Sequence, residues 1–155
     1  MNYQTALVQL PLVREAGKER VISPADVYRV CADIADLAQE SFHVLCLGSK
    51  NNLINRHMVS LGTVDTALVH PREVFRPAIT DGAAAVLCAH SHPSGDPTPS
   101  AEDIRITRQL VQAGQIIGIK VLDHVVIGRA VEPVGNQSGR PGYLSLRESG
   151  VVEFE

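Results

Sequence analysis

An α/β fold, in its α+β form with a mixed β-sheet flanked by helices, is what this sequence predicts. Three observations point there. Short apolar runs alternate with stretches of helical periodicity. Two of the runs, 41–48 and 53–61, are joined through a Lys50-Asn51-Asn52 turn and read as an antiparallel hairpin. The run SFHVLCLG is apolar on both faces, as a central, covered strand is.

At 155 residues the chain has the usual size of one domain. We divide it into an N-terminal strand and extension, 1–22, and a domain over 23–155. In the first part, TALVQLPLVR (5–14) reads as a strand that Pro11 confines to an edge. Ser23-Pro24 reads as an N-cap followed by proline at the first helical position. Val27, Val30, Cys31, Ile34 and Leu37 follow at helical spacing, which predicts a helix over 24–39.

In 41–48, Phe42, Val44 and Cys46 line one face, and Leu45 and Leu47 the other. Residues 66–69 form a short apolar stretch. Pro71-Arg72-Glu73 opens a helix, PREVFRPAI, that Pro77 is expected to interrupt or kink by removing a backbone donor. AAAVLCA (83–89) is a buried strand, 101–113 a helix ended by Gly114 and Gly118, and 120–127 a strand. A loop over 129–141 leads to weak strands at 143–146 and 151–154.

Composition narrows the function. Hydrophobic residues make up 45% and charged residues 20%, as in globular domains; with tryptophan absent, the core rests on aliphatic side chains. A net charge of -3 gives no electrostatic footprint for nucleic acid. No apolar run is long enough for a membrane helix, and residues 1–13 lack the pattern of a signal peptide. Cys31, Cys46 and Cys88 are odd in number and widely spaced, so a disulfide framework is not expected and a reducing cytoplasm fits.

The chemistry concentrates in CAHSHPSGDPTPSAED (88–103). If the strand persists to its end, His90 and His92 project to one side, where two imidazoles can share one ion. Ser100 reads as the N-cap of the next helix. Asp103 lies three residues before Ile106 and seven before Leu110, on the face that also carries Ala113 and Ile117, whereas Glu102 points away. An inward carboxylate needs a partner, and a metal is one.

Two His and one Asp leave a fourth position open on zinc, the arrangement of a catalytic site. Pro93, Pro97 and Pro99 would hold the loop between the ligands. His-x-His alone is a weak signal, and Ser100-x-x-Asp103 also fits a helix cap; one aspartate can serve both roles. Cys88 shares the parity of His90 and is read as a buried structural thiol. A hydrolytic site needs a general base, and Glu40 and Glu73 both qualify; from physics alone the two are not separated. His124 is a candidate for a contact behind the ligands, whereas His43, His57 and His70 read as structural or exposed.

HSHPSGDPTPSAED resembles the JAMM metalloprotease motif, in the version carried by the RadC-like branch of the JAB/MPN superfamily. The likeness extends through KNNLI (50–54), HPREVFRPAI (70–79) and LDHVVIG (122–128), over roughly 30–150. It implies a JAB/MPN fold, a curved mixed sheet with flanking helices layered as in the cytidine deaminases. It also implies zinc on His90, His92 and Asp103, Glu40 as the catalytic acid–base, Ser100 as a donor to the oxyanion, and cleavage of a peptide or isopeptide bond in a protein or peptide substrate.

Ser91 stands where the family more often has Asn; it alternates away from the metal and is expected to matter little. Two other readings stay open: a non-catalytic scaffold of the same fold, and a DNA-repair role suggested by the family name. Against the second stand the acidic balance and the expectation that about 23 residues before the first helix are too few for the DNA-contacting module of larger RadC relatives. A zinc nucleobase deaminase fits poorly, because no Pro-Cys-x-x-Cys follows the histidines. No membrane partner is expected, and the oligomeric state is left open.

Overall fold

A computed structural model describes residues 19–62 and 69–154. The strand expected at 5–14 and most of the 66–69 stretch lie outside the described residues. Among the described residues five strands, β1 (Ser41–Leu47), β2 (Leu53–Leu61), β3 (Ala85–Ser91), β4 (Lys120–Ile127) and β5 (Tyr143–Ser145), form one mixed sheet in the order β2-β1-β3-β4-β5. β3 and β4 are parallel and the other pairs antiparallel. Among the described residues the helices are α1 (Pro24–Val30), α2 (Pro71–Thr80) and α3 (Ala101–Ile117). None is long and apolar enough to cross a membrane.

The central strands β1 and β3 are buried along their whole length, as their two-sided apolar pattern predicts. Phe42, Val44, Cys46, Val86 and Cys88 face α2 and α3, together with Phe75, Ile106 and Leu110. Leu45, Leu47, Leu87, Ala89, Val125 and Ile127 face α1 and pack on Val27, Cys31 and Ile34. The layers are therefore α1, sheet, and α2 with α3. His90, like Cys88, belongs to the α3 side.

Several local expectations are corrected by contacts from elsewhere in the chain. The first helix stops at Val30 and gives way to a 3-10 turn, Ala32–Ile34. Arg56 of β2 explains the stop: it donates to Val30 O and binds both oxygens of Asp33 at 2.7 Å, satisfying a helix end that would otherwise continue. Leu37, expected on the helical stripe, is exposed.

α2 runs without interruption through Pro77. The carbonyl that Pro77 leaves without its helical donor is that of Glu73, in the half-exposed first turn. α3 continues past Gly114 to Ile117 and ends on left-handed Gly118. Gly114 is a packing residue, since a Cβ there would lie 2.5 Å from Ile119 O. Ile117, expected inside, is exposed. The last segment, 151–154, is not a strand, although Val152 is buried against the α3-side core.

Candidate metal centre

His90 sits on β3, and His92 directly follows that strand, its N–H held by Ile127 O of β4 at 2.9 Å. Asp103 is the third residue of α3. The fold brings the three together: His90 Nε2 and His92 Nε2 are 2.9 Å apart, and each is 3.2 Å from one oxygen of Asp103. A tetrahedral zinc with nitrogen and oxygen ligands has edges of roughly 3.3 Å. The observed separations are close to that spacing.

Asp103 is also the helix cap. Its Oδ2 accepts Ser100 N–H at 2.7 Å while Ser100 Oγ accepts Asp103 N–H, a closed capping box. Oδ1 faces His90 Nε2 and, among the described residues, is the freer ligand atom. Burial would raise the Asp103 carboxyl; the two imidazoles that face it, acting as a positively charged pair, and the Ser100 N–H outweigh burial and hold the group well below the usual carboxylate range.

The hydrogens behind the histidines decide what their front atoms offer. Thr107 Oγ1 donates to Asp103 O at 2.6 Å, which spends its one hydrogen. His124 Nδ1, 2.5 Å from the same hydroxyl, must then be the donor there. Burial lowers His124 well below the ordinary imidazole value, so it is neutral and its Nε2 is a bare acceptor. His90 Nδ1, 2.7 Å away, therefore carries the hydrogen, and His90 Nε2 presents a lone pair.

Likewise His92 Nδ1 donates to Asp96 O at 2.8 Å, which leaves Nε2 of His92 as the group facing the cluster. Three acceptors thus converge, and they repel one another unless a cation lies among them. In a metal-free chain a proton on His92 would fill this role. Burial would lower the His92 imidazole, but its bonds to Asp103 and Asp96 O and the charges of Asp103 and Glu40 raise it. The donor set and its hydrogens fit a divalent ion bound in that proton's place.

The surroundings hold this geometry. Phe42, opposite His90 on β1, stacks near it and meets His124 edge-on. The ligand loop is tied down by Arg129, which bonds Pro93 O and Gly95 O, and by Arg140 on Gly95 O. Gly128 has to be glycine, because a Cβ there would lie 2.3 Å from Gly95 O. The arginines reach the loop from a segment about 35–45 residues further along the chain, which no local pattern signals.

Glu40 is half-buried just before β1, and its charge reaches His92. Glu73 pairs with Arg76 at 3.0 Å in the first turn of α2. Ser100 is exposed; its Oγ accepts from Asp103 N–H through a lone pair and keeps its own hydrogen to donate. Ser91 points away from the cluster, as expected, yet its Oγ accepts the N–H of Ser41, the residue after Glu40, at 3.1 Å. Cys88 is fully buried among apolar side chains, its thiol pushed up by burial. His70 caps α2 through Nδ1, and His43 is buried against Ser41.

The RadC-like JAB domain family matches residues 21–151. A UPF0758 protein of Symbiobacterium thermophilum is 50% identical over 131 residues, which is 84% of this chain and 51% of the relative. One from Caldanaerobacter subterraneus is 46% identical over 148 residues, 95% of this chain and 59% of the relative. A Methanosarcina barkeri UPF0758 protein is 42% identical over 139 residues, 89% and 56% of the two chains. The chain thus spans between half and three-fifths of the length of these relatives. With its mixed sheet, its flanking helices and a family match over most of its length, the chain belongs to the RadC-like JAB domain family.

Proposed function

We propose that this chain is a zinc-dependent hydrolase of the JAMM type, cleaving a peptide or isopeptide bond. The observation that carries the reading is the convergence of three lone-pair atoms at 2.9–3.2 Å, with the hydrogens of both imidazoles committed behind them. Such an arrangement is costly to bury without a cation. A zinc ion held by His90, His92 and Asp103 supplies Lewis acidity, polarising a carbonyl and acidifying water.

The chain's own groups do the rest. Glu40, close enough for its charge to act on His92, takes the proton of the attacking water and returns it to the leaving amine. Ser100 donates its hydroxyl hydrogen to the oxyanion. Glu73, engaged with Arg76, is the weaker candidate for the base. The substrate is a protein or peptide amide; three buried free thiols accord with a reducing cytoplasm.

The test is metal analysis of the purified chain beside turnover of a peptide and isopeptide panel. One zinc per His90/His92/Asp103 cluster and hydrolysis lost in Glu40→Gln are expected. Full activity in Glu40→Gln would move the base elsewhere. A stoichiometric metal with no hydrolysis of any panel member would make the chain a binding module. Salt-sensitive DNA binding at physiological ionic strength would return the DNA-associated reading.

A further inference from the structure

We propose that Cys46, His57 and Asp81 form a second metal site, for a thiophilic divalent ion such as zinc, where β1, β2 and the end of α2 meet. Among the described residues this is the other group of ligand-type side chains whose donor atoms lie together, all within 4.8 Å of one another. Local spacing hides it, since the three residues come from two strands and a helix cap.

The fold explains the meeting. Cys46 lies opposite Asn55 in the hairpin, so His57, two residues further along β2, is its diagonal neighbour on the α2 side of the sheet. Asp81 caps the C-terminal end of α2 and is 2.6 Å from His57 Nε2 through Oδ2. The Cys46 sulfur lies within 4.8 Å of both, and the Asp81 charge acts on the thiol. Cys46 is fully buried, whereas the His57 and Asp81 side chains are 30% and 16% exposed. An ion can therefore enter past the imidazole and meet a closed apolar wall behind the sulfur.

The donor set is selective. Thiolate, imidazole and carboxylate are all zinc ligands, and the thiolate disfavours calcium and magnesium. The C-terminal end of a ten-residue helix adds a favourable field for a cation. Without an ion, the imidazole bonds the carboxylate. Binding displaces the thiol hydrogen and any hydrogen on His57 Nε2. Sulfur and nitrogen ligands of one zinc stand roughly 3.6 Å apart, a spacing within reach of donor atoms that already lie within 4.8 Å of one another. A bound ion would clip edge strand β2 to α2.

Cobalt titration of the full chain tests this, because a thiolate-to-cobalt charge-transfer absorption reports only a sulfur ligand and the His90 centre has none. Two ions per chain and a near-ultraviolet charge-transfer band are expected. The band should persist in His92→Ala and vanish in Cys46→Ser with loss of one ion. Since Cys46 is a core residue, His57→Ala is the second arm, expected to weaken band formation at least tenfold in a folded chain. No charge-transfer band at millimolar cobalt, or a band unchanged in His57→Ala, overturns the proposal.

Discussion

His90, His92 and Asp103 meet at 2.9–3.2 Å, whereas Cys46, His57 and Asp81 are gathered only within 4.8 Å. Both clusters have three donors, an aspartate at a helix end, and one fully buried member. What separates them is the layer behind. His124, Thr107, the Asp96 carbonyl and the Ser100 N–H fix the hydrogens and orientations of the first cluster. In the second, His57 and Asp81 bond each other directly, with Cys46 within 4.8 Å of both. Ligand type makes a metal site conceivable; prior commitment of the non-ligand atoms makes it tight. The first cluster should therefore bind zinc more strongly than the second.

Removing a ligand breaks the comparison most severely. His90→Ala should take the first centre to zero bound metal and hydrolysis to background, by metal analysis and turnover. Metal at a thousandfold excess over its dissociation constant stabilises a chain by about 4 kcal/mol, so the melting temperature of His90→Ala should no longer respond to zinc at its tight site. A residual tight ion with the original response would show that the two imidazoles do not share it. Next comes Glu40→Gln, which leaves all three ligands in place. Turnover should fall by about 10²–10⁴-fold while metal content is unchanged, the size of a lost general acid–base.

A smaller effect tests the layer behind the ligands. His124→Ala removes the acceptor for His90 Nδ1–H and frees the imidazole to take the wrong tautomer. Zinc affinity should fall about 10–100-fold at the first cluster and stay constant at the second. His124→Gln offers a carbonyl oxygen to His90 and an amide hydrogen to Thr107, so part of the affinity should return. Nitrogen NMR of the metal-free chain is the independent readout: His90 should carry its hydrogen on Nδ1 in the parent and lose that preference in His124→Ala. Equal affinities for parent and both variants would reduce His124 to a packing residue.

The two clusters were unequally legible in the sequence, for a physical reason. His90 and His92 declare themselves because a strand repeats every two residues, and Asp103 because a helix places its third residue beside Ile106 and Leu110. Those are local periods, and the structure follows them. Cys46, His57 and Asp81 are joined by strand register and by where α2 ends, neither of which a local period encodes, so His57 read as structural or exposed. The same limit explains the first helix, whose stop depends on Arg56 of β2, and the ligand loop, whose clamp includes Arg129 and Arg140. The residues alone left Glu40 and Glu73 unseparated and the family resemblance favoured Glu40; in the fold the charge of Glu40 reaches His92, and Glu73 pairs with Arg76.

Ser91 gives the finest test of support from behind, because it touches no ligand. The β1–β3 ladder ends at Phe42 and His90, where His92 N–H turns to Ile127 O. Ser91 Oγ completes it by accepting Ser41 N–H at 3.1 Å, and Ser41 Oγ lies 3.0 Å from His43 Nε2. This group is fully buried apart from a small part of His43, and it anchors the residue that follows Glu40. Ser91→Ala leaves the Ser41 N–H without that acceptor, at a cost of about 1–3 kcal/mol. For a domain of this size each kcal/mol lowers the melting temperature by roughly 2–4 °C. Metal affinity should hold, since both imidazoles keep their partners, while turnover drops because the base has lost its anchor. Ser91→Thr, which keeps a hydroxyl, should recover both quantities. Unchanged melting and turnover in Ser91→Ala would mean that Glu40 is positioned by the β1–β2 pairing alone, through the Gly62 N–H on its carbonyl.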